Sequence, residues 1–259
     1  MRQRILFFLW SVMLCLVVAP TASAIDHSNL DESRPLRLED AYPIASGEWA
    51  LETGGGFAAH RQGSTRGLFP VEILYGVAPN LHVAIGTTVS TDPHKIEGQT
   101  KSGDVHLSGL YNFNQETLTL PAFGLKLALD LPTGTDSSGT DVRVKGLVTK
   151  SFDRLRAHFN PAYEVFTGTK GAERDSRYEF ALGASYPLGA PHYTRLTVLG
   201  DVFTEQSFRQ GESPVVGTEF GIRHQLTPRT VVDAGIGTEF AGPADRAVFF
   251  GTVGVSFGF

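Results

Sequence analysis

Cysteine is nearly absent: Cys15 is the only one in 259 residues. It lies inside the first apolar run, so the chain beyond residue 24 has none. That excludes a disulfide framework and thiolate chemistry there. Basic residues are also short, 22 Lys plus Arg against 27 Asp plus Glu, and the formal net charge is −5. An acidic chain offers no basic face, so no nucleic-acid partner is expected. Beyond residue 24 no segment reaches the roughly 18 consecutive apolar residues that would suggest a membrane-crossing helix.

The first 24 residues have a composition of their own. Arg2 and Arg4 are followed by an almost unbroken apolar run from Ile5 to Val18, and then by Ala22-Ser23-Ala24. A positive start, an apolar centre and a small-residue cleavage site make a secretory signal peptide. The run is about 14 residues, short of the roughly 20 that a spanning helix needs. Cys15 follows Leu14 rather than a small residue, which argues against a lipid anchor. The predicted organisation is a signal peptide over 1–24, a periplasmic N-terminal segment over 25–45, and one domain over 46–259.

That domain is rich in glycine, 29 residues in the whole chain, and Phe (18) outnumbers Tyr (7) and Trp (2) together. Its main signal is period-2 alternation. Phe249, Gly251, Val253, Val255, Phe257 and Phe259 share one face of the last segment, opposite Phe250, Thr252, Gly254, Ser256 and Gly258. Phe123, Leu125, Leu127, Leu129 and Leu131 alternate with Gly124, Lys126, Ala128 and Asp130. Similar patterns run over 81–89 and 155–165. Strict alternation indicates strands with one apolar and one wet face. The mean hydropathy of −0.05 fits that cancellation.

Twelve such strands are predicted: 47–60, 66–77, 80–90, 103–113, 117–131, 140–152, 155–166, 176–187, 193–205, 214–226, 229–240 and 246–259. Most exceed the about 9–11 residues that cross a bilayer when tilted. Connections alternate between short ones, such as Ala78-Pro79 and Asp153-Arg154, and longer ones, such as Thr91 to Ser102 and Pro132 to Gly139. Outer-membrane barrels have short periplasmic turns and longer external loops. The even count puts both termini on the periplasmic side. The expected fold is therefore all-β: an antiparallel transmembrane β-barrel of about 12 strands.

A soluble sandwich or lipid-binding barrel would alternate in the same way, with its apolar face inward. Strand length and the many charges and glycines on the wet face favour the membrane. So does the ending, Thr252-x-Gly254-x-x-Phe257-x-Phe259. It resembles the C-terminal assembly signal of outer-membrane barrels. That resemblance implies the barrel-assembly machinery as a partner through Phe259, with outer-membrane lipid and lipopolysaccharide around the barrel.

If the apolar face meets lipid, the other face lines a lumen. Lys126, Arg143, Lys145 and Arg156 would form a basic wall. Glu205, Glu219, Asp233 and Glu239 would form a more acidic one, with Arg195, Asp201 and Arg223 among them. Such walls can orient polar solutes or lock a narrow interior shut with ion pairs. No chemistry is expected. His106 and Ser108 share one strand face, a pair resembling that of outer-membrane lipid A deacylases, but they point inward and no supporting Asn or Glu motif follows. The other histidines considered (His60, His82, His94, His158, His192 and His224) lack metal-ligand spacing. Gly54-Gly55-Gly56 is no phosphate loop, because no helix follows. No catalytic residue, cofactor or metal is predicted.

Two segments carry a family resemblance. One is Arg34-Pro35-Leu36-x-Leu38-Glu39-Asp40-Ala41-Tyr42-Pro43 with Gly47-x-Trp49-x-Leu51-Glu52; the other is Pro121-Ala122-Phe123-Gly124-Leu125-x-Leu127-x-Leu129-x-Leu131-Pro132-Thr133-Gly134. They resemble bacterial outer-membrane barrels of the MetA-pathway-of-phenol-degradation family. That resemblance implies passive passage of small, apolar or aromatic molecules. It supplies no functional residues, and its Pro-Thr-Gly reads as a turn. The alternative is a closed structural or interaction barrel, in which the charged residues 25–45 form a periplasmic arm or a plug.

Overall fold

The computed structural model describes residues 26–30, 34–63, 65–91, 103–135, 137–190 and 195–259. The predicted signal peptide, most of the 91–102 connection, His94 and His192 lie outside them.

Twelve strands follow one another: β1 (Trp49–His60), β2 (Thr65–Ala78), β3 (Leu81–Ser90), β4 (Val105–Asn112), β5 (Ala122–Leu131), β6 (Asp141–Phe152), β7 (Leu155–Val165), β8 (Ser176–Leu188), β9 (Leu196–Glu205), β10 (Val215–Thr227), β11 (Thr230–Ala241) and β12 (Ala247–Gly258). Each pairs antiparallel with the next, and β1 pairs with β12, closing a barrel. The seam runs from Ala50↔Gly258 to His60↔Ala247, and Trp49 and Phe259 exchange backbone hydrogen bonds at 3.0 and 2.9 Å. Closure leaves no unpaired edge.

Alternation becomes inside and outside. On β5, Leu127 and Leu129 are 52% and 39% exposed, whereas Lys126 and Asp130 are 5% and 7% exposed. Phe57, Phe69, Ile73, Ile85, Phe159, Leu182, Phe220 and Ile236 continue the outward apolar surface around the barrel. Leaving that much apolar area in water would be costly, at about 25 cal/mol per Å². A bilayer removes the cost, because its hydrocarbon covers the outside while polar groups stay within.

Boundaries agree closely with the alternation except at β5. Thr117–Leu120 alternates in sequence but forms a loop. Asn114 explains it: its side-chain amide bonds the Pro121 carbonyl at 2.8 Å and accepts from Phe123 N–H at 3.1 Å. Thr117 Oγ1 then accepts from Leu120 N–H at 2.9 Å. This local side-chain bonding offers the backbone an alternative to the ladder. The connection is therefore 113–121, and β5 starts at Ala122. Pro132-Thr133-Gly134 does shape a turn: Thr133 N–H and Gly134 N–H both donate to Asp104 Oδ1, at 3.1 and 2.7 Å.

The interior is occupied. Residues 34–44 do not trail away from the barrel as an arm but run inside it, and Leu36, Leu38, Glu39, Asp40 and Ala41 are buried. Leu36 and Leu38 pack with Leu30, Ala181, Leu199, Phe203 and Val215. Ala41 packs with Leu110, Ala122 and Leu147, and Ile44 with Ala50, Leu74, Ala84 and Val231. The segment enters at the short-turn rim, where His27 Nδ1 lies 2.7 Å from Thr197 Oγ1. It rises to Arg34–Arg37 and returns to β1, and the Asp40 N–H to Leu30 carbonyl bond (3.2 Å) ties its two limbs.

Candidate functional site

The inserted segment, or plug, carries charges of both signs, and the barrel answers those of Arg34, Arg37 and Glu39. Arg34 Nη2 lies 2.8 Å from Glu52 Oε2 on β1, and Arg34 Nη1 lies 3.6 Å from Asp233 Oδ2 on β11. Arg37 Nη1 lies 2.7 Å from Glu205 Oε2 on β9, and Arg37 Nε lies 3.4 Å from Glu219 Oε1 on β10. The Arg37 backbone N–H also donates to Glu219 Oε2 at 2.8 Å. On the other side, Glu39 receives Lys126 at 2.8 Å and Lys145 at 3.2 Å. Arginines thus face the acidic wall, and a glutamate faces the basic one. Burial disfavours the charged Arg37 guanidinium, but Glu205, Glu179 and Glu219 outweigh that effect and hold its pKa above the ordinary value.

Neutral contacts complete the seat. Thr252 Oγ1 donates to the Pro35 carbonyl at 2.9 Å, and Ala41 N–H donates to Thr149 Oγ1 at 3.1 Å. Asn112 Nδ2 donates to the Ala41 carbonyl at 2.8 Å. Asn160 bonds both polar backbone groups of Glu39, at 2.8 and 3.0 Å. Glycine at Gly235 is required by close approach, because a Cβ there would overlap the Pro35 carbonyl oxygen.

Lys126, Arg143, Lys145, Asp201, Glu205, Glu219, Arg223, Asp233 and Glu239 all sit at inward positions of β5, β6, β9, β10 and β11. Arg156 is half-buried on β7, with Nη1 3.4 Å from the Ser28 carbonyl. Arg195 is exposed, just before β9. Gly254 packs against Arg34 and Asp233, while Phe257 faces outward. Sequence reasoning missed the partners within 34–44 and the bridging residues Glu52, Glu179 and Asn160. Matching the charges of Arg34, Arg37 and Glu39 to the two walls was the signal available.

His106 Nδ1 lies 2.8 Å from Asp130 Oδ1 on the neighbouring strand. His82 Nδ1 accepts the Ile44 N–H at 3.3 Å, and His158 lies between Thr149 and Ser185 at 3.2 and 3.1 Å. Among the described residues no cluster of three or more His, Cys, Asp or Glu could hold a metal ion.

Above the plug, towards the longer loops, lies a cavity of about 290 Å³. The side chains of Leu36, Leu68, Pro70 and Phe250 line one side of it; Arg37, Arg143, Arg177, Glu164, Glu179 and Glu205 are among the residues that line the rest. Its surface is part apolar and part ionic, with the ions already paired to one another.

Solved structures of outer-membrane barrels share this architecture. A COG4313 outer membrane channel from Pseudomonas putida F1 superposes with a TM-score of 0.63 at 13% identity, covering 89% of this chain and 100% of that one. The NanC porin gives 0.57 at 11% identity, covering 80% and 98%. The KdgM porin in complex with disordered oligogalacturonate gives 0.56 at 10% identity, covering 81% and 99%. At such identities the likeness is one of fold. No curated protein sequence is matched by the chain. The family model described as "Putative MetA-pathway of phenol degradation" matches residues 39–257, from the plug's Glu39 to the last strand, and the chain belongs to that family.

Proposed function

We propose that the protein is a passive outer-membrane channel for small molecules with an apolar or aromatic part. It would reach the membrane by way of a cleaved signal peptide and have both termini in the periplasm. The observation that carries this reading is the interior itself. The barrel encloses a cavity half lined by apolar groups, with Leu36, Leu68, Pro70 and Phe250 among them, and closed below by a plug held through polar contacts. Family membership and the fold shared with an outer membrane channel support the same reading. The short-turn rim, where Trp49 and Phe259 meet, is the periplasmic one in this reading.

The second reading is a closed barrel without transport. The ion pairs from Arg34, Arg37 and Glu39 favour it, because they obstruct the lumen in the state described. Proteoliposomes separate the two. Entry of a small aromatic, neutral or cationic, faster than into protein-free vesicles supports the channel. Entry of both kinds at the protein-free rate, with barrels shown to be folded by heat-modifiable gel shift, favours the closed barrel. Single-channel recordings of the wild type and of a variant lacking residues 26–45 show what the plug blocks.

A further inference from the structure

The carboxylates around Arg37 outnumber the cations that serve them. Glu164, Glu179, Glu205 and Glu219 line the cavity floor from β7 to β10, and Asp201 lies beside Glu219. Arg143 serves Glu179 at 2.8 Å, and Arg177 serves Glu164 at 2.8 Å. Arg37 is divided among Glu205 at 2.7 Å, Glu219 at 3.4 Å and Glu179 at 3.8 Å. Asp201 is only 5% exposed and stands directly opposite Glu219 in the β9–β10 register. The two carboxyl groups share a side-chain hydrogen bond. Like charges directly opposite one another repel, and the shared hydrogen bond together with the Arg37 guanidinium offsets that repulsion. A cation at the position of Arg37 is therefore part of what keeps this cluster of carboxylates buried.

An aromatic face completes the arrangement. The Arg37 guanidinium carbon lies 3.9 Å from the centroid of the Phe203 ring. Carboxylates beside a ring face form a setting that holds organic cations. Arg37, Glu179, Glu205 and Glu219 all border the cavity whose other side includes Leu36, Leu68, Pro70 and Phe250. A molecule entering from the longer loops would meet an apolar wall and a cation-seeking floor together.

We infer that this acidic floor recognises the ammonium or guanidinium group of a small apolar amine, and that Arg37 is its tethered stand-in. The solute passes the plug by exchanging its own cation for that of Arg37. This inference rests on the channel reading and narrows its solutes to an apolar ring or chain with one cationic head. Exchange keeps the number of charges inside the barrel constant, so the glutamates are never left bare. A neutral ring cannot make that exchange.

Binding tests this without transport. Isothermal titration of the full-length barrel in detergent uses 2-phenylethylamine and its neutral counterpart 2-phenylethanol. In Arg37→Ala the amine should bind about tenfold or more tighter than the alcohol, a difference of about 1.4 kcal/mol. It should also bind Arg37→Ala more tightly than it binds the wild type. Adding Asp201→Asn and Glu219→Gln should abolish the preference. Equal binding of amine and alcohol to folded Arg37→Ala overturns the proposal, as does a preference that survives the added substitutions. Should Arg37→Ala fail to fold, Arg37→Gln, which keeps much of the side chain's bulk, carries the same comparison. Vesicle uptake keeps the two ideas apart. Flux of neutral aromatics without amine binding leaves the channel and removes this solute class; amine binding without flux does the reverse.

Discussion

Arg37 and Glu205 are 168 residues apart in the chain and 2.7 Å apart in the barrel. The contact needs β9 in place, so the plug can take this seat only against a formed wall. Truncating one partner of a buried ion pair leaves the other charge stranded, at a cost on the order of 3 kcal/mol. Arg37→Ala should therefore loosen the plug while the strand ladder stays intact. Proteinase K should cleave within residues 26–48 sooner than in the wild type, and conducting steps should appear more often in planar bilayers. Digestion and conductance like the wild type would show that other contacts hold the plug.

Glu39 tests the opposite wall. It receives both Lys126 and Lys145, and its side chain is only 3% exposed. Glu39→Gln leaves two ammonium groups facing the lumen without their carboxylate. Any current through that variant should shift towards anions, read as a changed reversal potential across a salt gradient. The double substitution Lys126→Ala/Lys145→Ala should shift it the other way. No shift in either variant would mean that ions do not pass this wall.

The barrel was legible in the sequence because lipid and lumen impose a period of two on every strand. Leu127 and Leu129 against Lys126 and Asp130 read correctly with no knowledge of their neighbours. The β5 start was misread because Thr117–Leu120 alternates while Asn114 and Thr117 bond the backbone into a turn. The position of the plug was less legible. Residues 34–44 have no period, and a run of mixed charges looks the same on a solvated arm as inside a barrel. The plug's bonding partners lie far away in sequence: Asn160 is 121 residues from Glu39, and Glu219 is 182 from Arg37.

Steric fit can be separated from charge at Gly235. A Cβ there would overlap the Pro35 carbonyl oxygen, a backbone atom that cannot swing aside. Gly235→Ala should displace Pro35 and, with it, the Thr252 hydroxyl bond. Gly55→Ala is the control, since its Cβ would make only ordinary contact with Phe69, at 3.6 Å. Proteinase K should then cut the plug of Gly235→Ala faster than that of Gly55→Ala, with both barrels resisting heat in gel shifts. Equal rates would mean that the plug adapts to an added methyl group.

The loop 113–121 carries a prediction of pH dependence. Glu116 Oε1 accepts from Ser151 N–H at 2.6 Å and from Lys150 Nζ at 3.0 Å, and Glu116 Oε2 accepts from Ser151 Oγ at 2.8 Å. Burial alone would raise its pKa, but the Ser151 N–H, the Lys150 ammonium and the Ser151 hydroxyl outweigh it and hold the carboxyl below its ordinary range. The folded value is then lower than the unfolded one, about 4.3 for a free glutamate. Its contribution is present in full above the unfolded value and is lost as pH falls through the folded one. Lys150 also holds the Thr117 and Leu118 carbonyls, at 2.7 and 3.1 Å, so the loop should open in acid as this anchor protonates. Leu118 is 99% exposed, and Leu118→Trp places a fluorophore there without disturbing packing. Its emission should hold steady from neutral pH through the ordinary glutamate range and change only below it. Adding Glu116→Gln should remove that acid step. A step at the same pH in both proteins would assign the loop's stability to some other group.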